Sequence, residues 1–156
     1  MRPILEYASS VWSPYLLEDI DKIEKVQRRF TKSLPGLRNK SYSQRLKLLS
    51  LDTLELRRLK SDLSLTYAIL HELIDFDHTG FFTLHTDRRT RGHSLKLIVD
   101  KVKTNCRKFF FSNRITSAWN SLPDTVVQAS SLPIFKRLLS EINLSKFLRR
   151  DHTLGV

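Results

Sequence analysis

Carboxylates two residues apart, Asp19-Ile20-Asp21 and Asp75-Phe76-Asp77, are the first groups in this chain whose spacing could do chemistry. Converging carboxylates hold the two metal ions of nucleotidyl transfer. The first pair falls on the opening turn of a helix, where the helix dipole accounts for it. The second sits in an irregular stretch with nothing beside it to cradle a phosphate. His71, His78 and His85 recur every seven residues, or two helical turns, but the later part of that stretch has no helical period. There is no CxxC, HExxH or HxxxH. Cys106 is followed by Arg107 and Lys108, with no histidine at a spacing that marks a base for a nucleophile. No phosphate-binding loop, nucleophile elbow or dinucleotide fingerprint occurs. These residues assemble no catalytic constellation, so the expectation is a chain with no cofactor and no enzymatic activity of its own.

Basic surface remains. Of 156 residues, 27 are Lys or Arg and 16 are Asp or Glu, a net charge of +11. The excess is uneven: residues 1–90 carry 15 basic and 12 acidic side chains, and residues 91–156 carry 12 and 4. Such a balance attracts polyanions, of which nucleic acid is the commonest. Three groups of cations are candidates. Arg88, Arg89, Arg91 and Lys96 surround Gly92 in a loop, where flexible cations suit phosphate contacts. Arg107, Lys108 and Arg114 extend that patch. Lys22, Lys25, Arg29 and Lys32, spaced 3, 4 and 3, line one face of a helix, with nearby acids that could equally make it an ordinary solvated face.

Elements must position these groups. The segment LLEDIDKIEKVQRRFTKSLPG reads as a helix with an apolar stripe of Leu16, Ile20, Ile23, Phe30 and Leu34, acids early and bases late, ended by Pro35-Gly36. Ser41-x-x-Gln44 and Asp52-x-x-Glu55 read as capping boxes for a short helix to about Leu49 and a longer one to about Ile74. Leu95, Leu97 and Val99 alternate as in a strand, with Arg107 to Phe111 as its hairpin partner. Phe111, Ile115, Ala118, Trp119 and Leu122 form one helix face that would bury this hairpin, leaving Phe110 as the one aromatic of the cluster open to a ligand. A last helix runs from Ser131 to about Leu144.

The fold expected is mainly α: a helical bundle over residues 1–75, a linker over 76–90, a basic α+β subdomain over 91–145 with a β-hairpin packed on helices, and a flexible tail over 146–156. One cysteine and no long apolar run imply an intracellular chain, cytoplasmic or nuclear, without a membrane span.

In order, RPILEYASSVWSP, IDKIEKVQRRFTKSLPG, YSQRLKLLSLDTLELRRLKSDL, RTRGHSL, RKFFFSNRITSAWNSLP and SLPIFKRLL resemble the region after the palm in reverse transcriptases of jockey-like non-LTR (LINE-type) retrotransposons. The resemblance covers nearly the whole chain. It implies that the first half is thumb-like, a helical bundle that closes over a template–primer duplex, and that the second half is the segment following the thumb. The palm, with its paired catalytic aspartates, is not in this sequence. Ser50 and Asp52 stand where the family pattern LLGLP has Gly and Pro, and Lys40 stands where an apolar residue is usual. The function implied is non-catalytic binding of RNA or an RNA–DNA hybrid through its phosphates. The alternatives are a helical protein–protein module, docking through Ile4, Leu5, Val11 and Trp12, and a relic reading frame without a selected role.

Overall fold

The computed structural model describes residues 2–75, 77–85 and 92–149. The described residues are mainly helical, and they contain no strand. Two compact units divide between Arg58 and Leu59, inside a helix, and Leu144 to Arg149 belong with the first unit. The division therefore does not fall at the expected linker 76–90, and Leu144 to Arg149 is built into the first unit.

The first unit holds α1 (Arg2–Glu6), α2 (Ser9–Trp12), α3 (Leu17–Ser33), α4 (Tyr42–Leu48) and the start of α5 (Leu54–Leu70). α3 carries Glu18 and Asp19 in its first turn and Lys32 in its last, as the dipole favours. Its buried face is not the expected apolar stripe: Leu16 and Phe30 are about half exposed, and Ile20, Glu24, Gln27 and Thr31 point inward. These four have the same helical spacing, and three are polar because α4 meets them with polar groups. Gln27 Nε2 donates to Tyr42 Oη (3.1 Å) and to the Asp52 carbonyl (3.0 Å). Arg45 Nε donates to Thr31 Oγ1 (3.1 Å). Glu24 accepts from the Tyr42 hydroxyl and, through Oε2, from the Leu54 amide (3.0 Å). Burial first, and then the Glu24 carboxylate, raise the pKa of the Tyr42 hydroxyl.

The Ser41–Gln44 capping box is present, with Gln44 N donating to Ser41 Oγ (3.3 Å) and Ser41 N to Gln44 Oε1 (3.0 Å). α5 is capped one residue later than expected, by Thr53 Oγ1 accepting the Leu56 amide (3.2 Å). It ends at Leu70, short of Ile74, in a left-handed turn at Glu72 with Leu73 N bonded to the Ala68 carbonyl (2.8 Å). α4 ends the same way: Ser50 has φ 50°, and Leu51 N reaches the Leu46 carbonyl (2.9 Å). Left-handed geometry costs a non-glycine residue about 1–2 kcal/mol, partly offset by the roughly 0.5–1 kcal/mol of chain entropy a glycine loses on folding. Ser50→Gly is accordingly expected to raise stability by about 0.5–1 kcal/mol. A urea midpoint that fails to rise would show that the serine is not strained there.

The second unit holds the rest of α5, a 3-10 turn (His78–Gly80), α6 (Asn105–Lys108), α7 (Phe111–Asn120), α8 (Asp124–Val127) and α9 (Leu132–Ser140). Its core is Leu63, Tyr67, Phe82, Leu97, Phe111, Ile115, Trp119, Leu122, Val127, Phe135 and Leu139. The face expected for α7 is the buried one, including Phe111 and Trp119. Tyr67 Oη donates to the Ala129 carbonyl (2.5 Å), and its ring stacks on Phe135 with centroids 4.4 Å apart. His71 Nε2 donates to the Val127 carbonyl (2.9 Å), which ties the end of α5 to α8.

The expected hairpin does not form. Arg107 and Lys108 end α6, where Lys108 N and Phe109 N bond to the carbonyls of Thr104 and Asn105 (both 3.0 Å), and Phe111 opens α7. Leu97 instead makes an isolated antiparallel bridge to Leu84, with His85 N to the Lys96 carbonyl and Ile98 N to the Thr83 carbonyl (both 2.8 Å). On its other side, Leu97 N donates to Asn120 Oδ1 (2.9 Å) and Asn120 Nδ2 donates to the Leu97 carbonyl (2.8 Å). One side-chain amide takes the place that the second strand of the hairpin would have filled.

Candidate nucleic-acid interface

The joint between α6 and α7 sorts the three phenylalanines of RKFFFS. Phe109 ends α6 and is half-buried, Phe110 precedes α7 in an extended conformation and is 40% exposed, and Phe111 is buried. Phe81 and Phe82 repeat the division: Phe81 is 39% exposed and Phe82 is buried. The inner rings, Phe82 and Phe111, meet edge to face at 5.7 Å. The outer rings, Phe81 and Phe110, stack at 6.0 Å with 25° between their planes.

The backbone under the outer pair is tied down. The Arg107 carbonyl accepts from Phe110 N (3.3 Å) and Asn113 Nδ2 (2.7 Å), and the Phe110 carbonyl accepts from Arg114 N (3.0 Å). The Arg107 guanidinium lies 5.7 Å from the centre of the Phe110 ring, and the Lys108 ammonium lies 5.7 Å from that of Phe109, both within cation–π range. Lys101 and Lys103, on the irregular segment leading into α6, are exposed like Arg107 and Lys108. None of these four is in an ion pair among the described residues.

No protein-family model, curated protein or solved structure matches this chain.

The other expected cations fall in three places. Arg88, Arg89 and Arg91 lie outside the described residues. Lys96 is half-buried, with its side chain folded over Gly92 so that a Cβ there would stand 3.0 Å from Lys96 Cε. Arg114 serves the fold: Nε and Nη2 both donate to Asp62 Oδ2 (3.0 and 2.8 Å), and Nη1 donates to the Phe109 carbonyl (3.3 Å). Within the first unit, Lys22 is tied to Glu18 (2.8 Å) and Asp19 (3.4 Å). Lys25, Arg29 and Lys32 are exposed along α3, with no ion pair among the described residues. The structure thus separates the expected cations among the described residues into solvent-facing groups (Lys25, Arg29, Lys32, Arg107 and Lys108) and groups engaged with the protein (Lys22, Lys96 and Arg114).

Lys101, Lys103 and Phe81 escape the sequence reading. Lys101 and Lys103 flank the half-buried Val102, an alternation that was readable as an exposed edge. Phe81 carries no such signal, because its role depends on contact with Phe110.

Behind this region, α7 holds residues 93–97. Trp119 Nε1 donates to the Leu95 carbonyl (2.7 Å), and His93 Nε2 donates to the Trp119 carbonyl (3.1 Å). His93 Nδ1 is buried with no hydrogen-bond partner among the described residues. Burial lowers the His93 pKa, and the positive Lys96 pushes the same way.

In the first unit, Ile4, Tyr7 and Val11 are at least 80% exposed, Trp12 is 39% exposed, and Leu5 is partly buried. Trp12 Nε1 donates to the Tyr7 carbonyl (2.6 Å), and Glu6 pairs with Arg57 (Oε2 to Nη2, 2.9 Å). No helix of the described residues is long and apolar enough to cross a membrane.

Proposed function

We propose that this chain is a non-catalytic nucleic-acid-binding piece of a jockey-like non-LTR retrotransposon reverse transcriptase, thumb-like at first and post-thumb after it. It contacts the phosphates of RNA or of an RNA–DNA hybrid, in the cytoplasm or nucleus. The observation that carries the reading is the segment 101–108, where Lys101, Lys103, Arg107 and Lys108 all face solvent without an acidic partner among the described residues. Cations left unpaired on a surface cost the compact state repulsion, and a polyanion relieves it. Lys25, Arg29 and Lys32 on α3 offer a second such row, and the proposal includes Arg88, Arg89 and Arg91. Ser50 supports the resemblance from another side: it stands at the family's Gly position and adopts the left-handed conformation that favours glycine.

Phosphate contacts position a strand without reading its sequence. Affinity for a single strand is therefore expected to fall with salt, with a log–log slope of roughly −0.7 for each phosphate neutralised. Fluorescence anisotropy of labelled RNA, at low and at physiological salt, measures that slope. Reversing Lys101, Lys103, Arg107 and Lys108 to Glu is expected to flatten it. Affinity indifferent to salt would refute the proposal.

A second reading, a helical interaction module, is favoured by the exposed row Ile4, Tyr7 and Val11. The same titration separates the two, since that reading expects no binding to nucleic acid.

A further inference from the structure

We propose that the stacked outer rings, Phe81 and Phe110, receive an unpaired nucleobase, so that the strand bound at this surface is single-stranded at that point. The inference rests on the phosphate-binding reading above and adds a base contact to it.

Three observations support it. Two large rings are left about two-fifths exposed side by side while their sequence neighbours, Phe82 and Phe111, are buried against each other. The platform is tied down: the inner pair packs edge to face, and the Arg107 carbonyl accepts from the Phe110 amide and from the Asn113 side chain. Cations accompany it, with Arg107 over the Phe110 ring and Lys101, Lys103 and Lys108 exposed on the segment that leads to Phe110. Its composition of adjacent aromatic rings and exposed cations is the one that binds single strands, where bases stack on rings and phosphates meet Lys and Arg. A duplex keeps its bases inside and offers the rings no π-face, so the aromatic pair has no use for one. A purely apolar partner would have no use for the cations.

Stacking is also tolerant of sequence, because every base has a π-face. The pair therefore adds affinity for an unpaired strand without adding preference for any base.

The test compares oligoadenylate with an abasic ribose-phosphate strand of equal length, both labelled, against the full chain. The two carry the same phosphates and differ only in bases. Wild type is expected to bind oligoadenylate about 5- to 150-fold more tightly, the equivalent of about 1–3 kcal/mol of stacking. Phe110→Ala and Phe81→Ala should each erase most of that difference while leaving the salt slope and abasic binding unchanged. Phe110→Tyr keeps a ring and should retain the preference. Phe110→Leu keeps apolar bulk without a ring and should lose it, which covers the case in which the alanine variant unfolds. Equal wild-type affinity for both strands, or a preference that survives the Ala and Leu substitutions, overturns the inference. If the abasic strand is still bound in a salt-dependent way, the phosphate-binding reading stands without it. If neither strand is bound, both fall together. Binding of the rings to anionic phosphatidylserine vesicles, with the two strands bound alike, would assign the platform to a membrane surface and also overturn the inference.

Discussion

Asp62→Ala is expected to cost about 3–5 kcal/mol of folding stability, the loss seen when one partner of a buried ion pair is removed. The Asp62 side chain is 3% exposed and Arg114 17%, and Oδ2 accepts both Nε and Nη2 of the guanidinium. Deleting the carboxylate leaves an arginine held in place by its bond to the Phe109 carbonyl, with little water to replace the lost acceptor. The pair joins α5 to α7 within the second unit, so the effect reaches the helix whose face carries Phe111, Ile115 and Trp119. Urea denaturation measures it. Replacing both partners together, as Asp62→Leu with Arg114→Met, should recover most of the loss, because an apolar pair of similar volume avoids the desolvation that the charges suffer. A single-variant loss below about 1 kcal/mol would mean that the pair behaves like a surface salt bridge. A folded stability of about 5–15 kcal/mol leaves little margin for the larger value.

The second large effect concerns Glu24, which is fully buried. Its carboxylate accepts from the Tyr42 hydroxyl and from the Leu54 amide, the first amide of α5. Such amides have no partner within their own helix and require an acceptor from elsewhere. Glu24 supplies it from α3, so one side chain ties α3, α4 and α5 together. Glu24→Ala takes the acceptor from the buried Leu54 amide and from the half-buried Tyr42 hydroxyl, at about 1–3 kcal/mol each, for a total of about 2–6 kcal/mol. Glu24→Gln keeps one acceptor oxygen and is expected to lose about half as much. Two measurements check this: the urea midpoint, and hydrogen exchange at the Leu54 amide, which should lose its protection in the alanine variant first. A midpoint shift with Leu54 still protected would place the loss in packing instead of in this capping bond.

The helices were readable wherever apolar spacing set their burial. α7 is the clearest case, with Phe111, Ile115, Ala118, Trp119 and Leu122 all inside as the spacing requires. The Ser41 box was readable because both of its bonds are local. α3 was readable as a helix but not as to its inner face, since Glu24, Gln27 and Thr31 are buried only because Tyr42, Arg45 and the start of α5 meet them, and hydrophobic spacing carries no record of such partners. The hairpin failed for a related reason. Leu95 to Val99 alternates like a strand, yet what pairs with Leu97 is the backbone at Leu84 and the side chain of Asn120. At the candidate site, Phe110 was expected to face outward by alternation in a strand; that strand does not form, and Phe110 is exposed as the extended residue before α7. Arg114 looked like one more surface cation until its partner, Asp62, was placed beside it.

The Asn120 amide has a further consequence. A lone extended segment offers its backbone to any other extended chain, and this is a common route to unwanted association. Around Leu97, the Lys96 carbonyl and the Ile98 amide are bonded to the segment at Leu84, and Leu97's own amide and carbonyl are bonded to Asn120, so neither flank at this rung is left for an intruding strand to copy. A side-chain carboxamide presents an N–H donor and a carbonyl acceptor side by side, as the N–H and C=O of one residue of a paired strand would. It closes the ladder after a single rung, and the unit gains a sealed edge without the length of chain that a second strand would need.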